Sequence, residues 1–497
     1  TPFFMEYFPN ACVSRLLLVH LQKLNPHIML KRKFTERLEK FLTKETRKIL
    51  LVNGARQIGK SYLIRHIGKN LFKHFVEINL KADQEGERIF ATIRSKEDFY
   101  LQLGAIAGDN LGNENDTLVF LDEIQSYPHL LTLLKFLNED GKYRYVASGS
   151  LLGVALSQTP SVPIGSISIE QMYPLDFEEF LWAMGCGEET IAGIRKCFSS
   201  HESLNDSMHN YLLQQFRIYL LVGGMPDAIN KFKENRNIAQ VRAIQRDIHA
   251  LYRIDASQYD NERKLVIRKI YDMVPSNMEN KKKRIIVKNI EDTKSHKQFS
   301  DYAEEFEYLT NSGVALPVNA ISNPKFPLAE SESKNLLKLY LSDVGLLTNL
   351  LYGTNIKAVL KDERSVNLGA VYESAVAQEL HAHGFSLHYY DNKQKGEVDF
   401  LIDDYERLTV LPIEVKSGKD YRIHSALDKF LATPDYNINR GVVLSNEQKV
   451  HSDKGIIYMP IYYCMFFLRD NSKESDTIIP ELTLPEQAAD DKQDPLF

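Results

Sequence analysis

"GARQIGKS", residues 54–61, decides how the rest of the chain is read. Gly54 and Gly59 bracket a turn that ends in Lys60 and Ser61, matching G-x-x-x-x-G-K-[ST]. The glycines let successive backbone N–H groups curl round an anion, the lysine neutralises phosphate charge, and the hydroxyl ligates magnesium. An apolar run from Ile49 to Val52 precedes the turn as a buried strand, and the helix after it buries Leu63, Ile64 and Ile67. The expected cradle for ATP and Mg²⁺ is therefore Gly54, Ala55, Arg56, Gln57, Ile58, Gly59, Lys60, Ser61 and Tyr62.

Outward from this loop, "HFVEINL" (74–80) reads as a second strand and "TLVFLDEIQ" (117–125) as a third. The third ends in Asp122, placed to join Ser61 on the metal, and Glu123, placed to polarise the attacking water. The strand "YRYVASGS" (143–150) runs into Ser148, whose hydroxyl is expected between the two motifs, within reach of the γ-phosphate. Strands alternating with helices predict a parallel α/β ATPase core.

The composition fits such a reading. The 497 residues, 43% of them apolar, are enough for two to four domains. A net charge of −5 and a pI near 6.3 exclude a global cationic field, so any nucleic-acid contact must come from local patches. The four cysteines, Cys12, Cys186, Cys197 and Cys464, lack C-x-x-C spacing, which argues against a zinc site or a disulfide framework and for a reducing cytoplasm. "RLLLVHLQ" (15–22) is too short to span a bilayer, so no membrane association is expected. Residues 1–28 read as an upstream extension before Met29, which opens an amphipathic helix with Phe34, Leu38 and Leu42 on one stripe; residues 471–497 read as an acidic disordered tail.

"GARQIGKS", "FLDEIQ", "SGSLLG", "MYPLDFEEFL" and "YLLVGGMPDAI" together resemble the prokaryotic AAA-type ATPases that carry a C-terminal domain of unknown function. The resemblance runs from about Met29 to Arg469 and implies a nucleotide core over 29–173 with a helical lid over 174–261. In that family an arginine often precedes the "YPLDFEEFL" segment and acts on a neighbouring subunit. Here Ser166 occupies that place, which argues against a remodelling ring with an arginine finger and leaves Arg144, Arg195 and Arg217 as substitutes.

Residues 262–345 are expected to form a winged-helix-like connector. Its helix "SDYAEEFEYLTNSG" has Ser300 as the expected cap, Tyr302, Phe306 and Leu309 as the buried stripe and Gly313 as terminator. The helix is expected to expose Asp301, Glu304, Glu305 and Glu307, which would repel phosphates and favours a structural or partner-binding role over DNA reading. The run Lys281, Lys282, Lys283, Arg284 is the alternative place for a phosphate backbone.

Residues 346–470 begin with a helix over 369–384 that places Glu373 on an apolar stripe with Val376, Ala377 and Leu380. Two strands follow, 396–403 and 409–418, with Glu397 and Asp399 on one side of the first and Glu414 and Lys416 on one side of the second. Such a set suits metal-assisted phosphodiester hydrolysis: Asp399 and Glu414 as Mg²⁺ ligands, Glu373 assisting and Lys416 handling the water. The acidic-x-Lys spacing also occurs at Glu262, Glu279, Glu332 and Glu447; placement in an apolar strand sets Glu414 apart. The arrangement resembles the PD-(D/E)xK nuclease fold, with Val398 in place of its proline, and implies a restriction-endonuclease-like domain that either cleaves or serves as a scaffold.

The expected whole is an α/β chain with Glu123, Lys60, Glu373, Asp399, Glu414 and Lys416 as catalytic residues and ATP and Mg²⁺ as cofactors. Two functions compete: an ATPase whose cycle controls a nuclease-like domain acting on DNA, and an ATP-dependent switch that recruits a protein partner. Lys393, Lys395, Lys419 and Arg422 around Glu414 would form the cationic rim that favours nucleic acid. The oligomeric state is left open.

Overall fold

The computed structural model describes residues 29–44, 46, 48–157, 165–256, 263–279, 283–291, 297–361, 368–418 and 421–469. The extension at 1–28, the tail at 471–497, and Glu262, Lys281, Lys282 and Lys419 lie outside the described residues.

Strands β1 (Ile49–Asn53), β2 (His74–Asn79), β3 (Thr117–Asp122), β4 (Arg144–Gly149) and β5 (Ile167–Gln171) form one parallel sheet in the order β2-β3-β4-β1-β5. Parallel sheets are covered on both faces, and β1 accordingly sends side chains both ways. Leu50 and Val52 join the core formed by helix α2 (Lys60–Leu71), preceded by α1 (Lys33–Thr43), whereas Ile49 and Leu51 join a second core with Leu130 and Leu134. Because β4 lies between β1 and β3, its end carries Ser148 between the phosphate loop and Asp122.

A helical layer follows, with α3 (Phe177–Ala183), α4 (Asp206–Val222), α5 (Pro226–Asn235) and α6 (Ile238–Ala256) as its main members. Gly223, at φ +73°, ends α4, and Pro226 occupies the first turn of α5, where its missing N–H costs nothing.

The connector contributes α7 (Lys264–Glu279), α8 (Ala303–Asn311) and a hairpin of β6 (Ala315–Ile321) and β7 (Glu332–Leu341). Two expectations are corrected here. The cap is Gln298, paired reciprocally with Asp301 ahead of a short 3₁₀ turn, in place of Ser300. Glu305 is buried rather than exposed, because Arg263 reaches it at 2.5 Å.

The boundary at 346 is not a break in the fold. β6 pairs in parallel with β8 (His388–Asn392), which makes β6 and β7 part of one eight-stranded sheet ordered β12-β13-β11-β10-β9-β8-β6-β7. Here β9 is Gly396–Asp404, β10 Thr409–Val415, β11 Gly441–Ser445, β12 His451–Asp453 and β13 Ile456–Pro460. Pairing with β8 removes an edge of β6 that would otherwise present unpaired backbone groups. Helices α9 (Val344–Tyr352) and α10 (Leu368–Ala382) cover one face, and the helix Ser425–Leu431 covers the other. One apolar core runs unbroken from Leu30 to Phe466, so the lid, connector and C-terminal sheet share buried side chains. Among the described residues no helix is long and apolar enough to cross a membrane.

Candidate nucleotide site and C-terminal acidic cluster

The phosphate loop is shaped by its two glycines. Gly54 lies at φ +150°, and a Cβ there would stand 2.3 Å from the Met172 carbonyl oxygen; Gly59 lies at φ +91°. Lys60 is buried, and its Nζ donates to the carbonyls of Gly54 and Ala55, each at 2.8 Å. Burial lowers its pKa to about 8, against the opposing pull of Glu123 and Asp122.

Ser61 Oγ donates to Asp122 Oδ1 at 2.9 Å, and Ser148 Oγ bonds the same oxygen. A hydroxyl and a carboxylate converging beside a buried lysine are the hard oxygen donors that magnesium takes, so these residues fit Mg·ATP. Glu123 follows in the left-handed region at φ +58°, and its carboxylate accepts from Gln125 Nε2. Non-glycine residues held there cluster at functional sites.

A cleft of about 230 Å³ opens beside the loop, lined by Leu30, Ile58, Tyr62, Leu175, Pro226 and Asn230 among others. An apolar slot of this kind accommodates a flat base. Ile58 and Tyr62 were legible in the motif; Leu30 and Pro226 come from distant segments that only the fold brings together.

Behind the loop lies a buried polar network that the sequence reading missed. Arg32 donates to the Ile58 carbonyl at 3.0 Å and to Glu179 at 3.1 Å. Asp176 caps α3 through the Glu179 N–H, pairs with Lys33 at 2.7 Å and meets His383 at 3.2 Å. Burial works to raise the Asp176 pKa, but Lys33 and His383 outweigh it and hold the carboxyl well below its usual range. Glu379 accepts the Phe177 N–H at 2.7 Å. Asp176, Glu379 and His383 have the spacing of a metal site, yet the Lys33 ammonium already provides their cation. The available signal was D-x-x-E at 176–179, a capping box.

The C-terminal residues do come together, on different terms from those expected. The β9–β10 ladder has Phe400 opposite Ile413, and just beyond it Asp399 Oδ2 accepts the Val415 N–H at 2.9 Å, so the strands part around that carboxylate. Glu414 bonds Lys416 at 2.7 Å and keeps its other oxygen buried without a partner. Burial, reinforced by Asp399, raises the Glu414 pKa to about 8. Glu373 is paired with Lys283, Lys338 and Tyr340, and Lys338 also holds Glu397 at 2.6 Å. Burial opposes ionisation of Glu373, but Lys283 and Lys338 prevail and hold its pKa at about 2. Glu373, Asp399 and Glu414 do not bring three oxygens within 4.8 Å of one another. Lys338 was the missed residue; its signal was a lysine inside the apolar run "LLKLYL".

Of the substitute arginines, Arg144 donates to the Thr46 carbonyl at 2.5 Å and Arg195 to Glu178 at 2.8 Å, both within the chain. Of the cations expected to form a rim, Lys395 bonds Thr433 and lies over Tyr436, Arg422 lies over Tyr421, and Lys393 is exposed.

A family described as an AAA domain matches residues 46–181. Two families described as domains of unknown function, DUF8612 and DUF4143, match residues 213–357 and 368–464. Over 471 residues the chain is 21% identical to an uncharacterized protein of Methanocaldococcus jannaschii, with 86% of each chain covered. A Walker-type ATPase of Pyrococcus abyssi aligns at 13% identity and a TM-score of 0.40, over 66% of this chain and 98% of that one. With its glycine-bracketed loop, its Ser61–Asp122–Ser148 contacts and its match to the AAA domain family, the N-terminal part of the chain is an ATP-binding P-loop ATPase domain of the AAA type.

Proposed function

We propose that the chain is a magnesium-dependent ATPase whose nucleotide cycle governs a C-terminal nuclease-like cluster acting on DNA. The observation that carries this reading is a single helix. α10 holds Glu373 in the acidic cluster and, further along, Glu379, which grips the Phe177 N–H. From there Asp176 and Glu179 lead to Lys33 and Arg32, and Arg32 reaches the carbonyl of Ile58 inside the phosphate loop. A displacement of that loop thus has a buried polar route to Glu373.

Ser61 and Asp122 would hold magnesium, which would supply charge to the phosphates during hydrolysis. Lys60 turns its ammonium from the Gly54 and Ala55 carbonyls to the phosphates, and Glu123 takes the proton of the attacking water. Ser148, bonded to Asp122, couples the end of β4 to the same centre. At the C-terminal cluster, Asp399 and Glu414 are the residues to hold a metal; the unpartnered Glu414 oxygen supports the assignment. The aromatic-backed cations Lys395 and Arg422 support nucleic acid as the ligand.

A second reading, a protein-recruiting switch with an inactive nuclease-like scaffold, has its own support: Glu373 is neutralised by two lysines and stands apart from a three-carboxylate site. ATP turnover with and without duplex DNA separates the two when run on wild type, Glu123→Gln and Lys416→Ala, with Mg²⁺-dependent cleavage measured alongside. The nuclease reading expects DNA to stimulate turnover and Lys416→Ala to stop cleavage. Turnover indifferent to DNA, together with a Lys416→Ala chain indistinguishable from wild type, leaves the switch.

A further inference from the structure

A chain of side chains leads from the helical lid to the catalytic carboxylate. Asp255, near the end of α6, pairs with Arg56 of the phosphate loop. Arg56 Nε donates to Ser150 Oγ at 3.3 Å, and Gln125 Nε2 donates to the same oxygen at 3.4 Å. The Gln125 amide also bonds the Glu123 carboxylate. The lid end is itself held: Tyr252 OH donates to the Arg56 carbonyl, and Tyr308 OH of α8 donates to the Asp255 carbonyl, both at 2.8 Å.

The site is built for this contact. A Cβ on Gly149 would stand 2.3 Å from Gln125 Oε1, so the glycine of the "SGS" turn makes the space that the amide fills. Glu123 sits in the left-handed region, and the Gln125 amide bonds its carboxylate. A lid helix that moves on nucleotide binding carries Asp255 with it, and the next three links transmit that movement to Glu123.

We propose that Gln125 is a positioning residue for Glu123, and that Asp255, Arg56 and Ser150 report the position of the lid to it. This rests on the ATPase reading and names how the same site is regulated. Its members lie in no part of the phosphate motif except Arg56, so Arg56 is left intact in the test.

The test measures ATP turnover and the Kd of a fluorescent ATP analogue for wild type, Gln125→Ala, Asp255→Asn, Asp255→Glu and the Gln125→Ala/Asp255→Asn pair. Gln125→Ala and Asp255→Asn are each expected to lower kcat about tenfold with Kd within about twofold of wild type, because they loosen Glu123 without touching the phosphates. Asp255→Glu, which keeps the charge, recovers most of the loss. The double variant is no slower than the slower single, since the two residues act in one line. Undiminished kcat in both singles, multiplicative losses in the pair, or a Kd that weakens in step with kcat overturns the relay. A wild-type chain that hydrolyses no ATP overturns the ATPase reading and the relay together; normal wild-type turnover with indifferent variants overturns the relay alone.

Discussion

The phosphate loop and the C-terminal cluster each gather lysines and carboxylates at the ends of buried strands, but they settle their charges differently. Lys60 rests on two backbone carbonyls with no carboxylate bonded to it among the described residues, and its burial is reflected in a pKa near 8. In the C-terminal cluster, the Lys283 and Lys338 ammonium groups already answer Glu373 and Glu397. The first region keeps its ammonium on backbone carbonyls, where a triphosphate can take it. The second is close to balanced, and it must give up an ion pair before Glu373 can take part in anything else. The difference teaches that proximity of the right residue types does not make a working site; the charge left unanswered does.

The largest effects break this comparison directly. Lys60→Ala removes the cation that the phosphates meet, and it is expected to weaken nucleotide binding by about 10²-fold or more. Glu123→Gln keeps binding and lowers turnover by about 10²–10⁴-fold. Lys416→Ala is expected to leave both quantities at the wild-type level. Equilibrium nucleotide binding and steady-state turnover on the three variants check this; a Lys416→Ala chain as damaged as Lys60→Ala would erase the distinction between the regions.

Next in size is Lys338→Met. It strips a fully buried cation from Glu397 and one of two from Glu373, which keeps Lys283, and breaking such a buried pair costs about 3–5 kcal/mol. Chemical denaturation should show the loss, and adding Glu373→Gln should restore much of it. Wild-type stability for Lys338→Met would mean that the second region is not balanced by this lysine.

The sequence was readable where function is encoded over a few adjacent residues. Gly54 to Ser61 needs only a turn, and Asp122 and Ser148 follow from strands ending beside it. Glu373, Asp399 and Glu414 lie on the helix and strands where periodicity put them, and Lys416 follows one residue beyond its strand. What could not be read was the counter-charge: Lys338 lies on β7 and Lys283 on a different segment, and only the joining of β6 to β8 brings them to Glu373. The pairing of the connector's β6 with β8 was not legible for the same reason. Local helix and hairpin patterns do not reveal which sheet a hairpin will extend.

A smaller effect sharpens the first region. Gly313 lies at φ +72°, and a Cβ there would stand 3.1 Å from the Ala55 nitrogen at the start of the phosphate loop. Gly313→Ala is expected to cost about 1–2 kcal/mol through the left-handed backbone alone. Because the added methyl presses on Ala55, nucleotide affinity should fall several-fold as well. Lost stability with unchanged affinity would place the strain in the connector only.

The smallest effect is the one that treats both regions in a single experiment, namely pH. Lys60 ionises near 8 in the free chain, below its ordinary 10.5, and bound phosphates favour its charged form. The folded, ligand-free chain therefore binds fewer protons than the unfolded one between those values, so the cost of burying Lys60 is present below pH 8 and fades as pH rises. Nucleotide reverses this: affinity should hold up to about pH 7.5 and decline above pH 8, with proton uptake visible by calorimetry in buffers of different ionisation enthalpy. Glu414 is also placed near 8, but as an acid pushed up by burial and by Asp399. Rising pH therefore deprotonates it and should strengthen Mg²⁺ binding at the C-terminal cluster while ATP binding weakens. Opposite slopes through pH 8 would come from an ammonium kept on backbone carbonyls at one region and a retained proton at the other; parallel slopes would require the two lysine–carboxylate sites to be governed by the same imbalance.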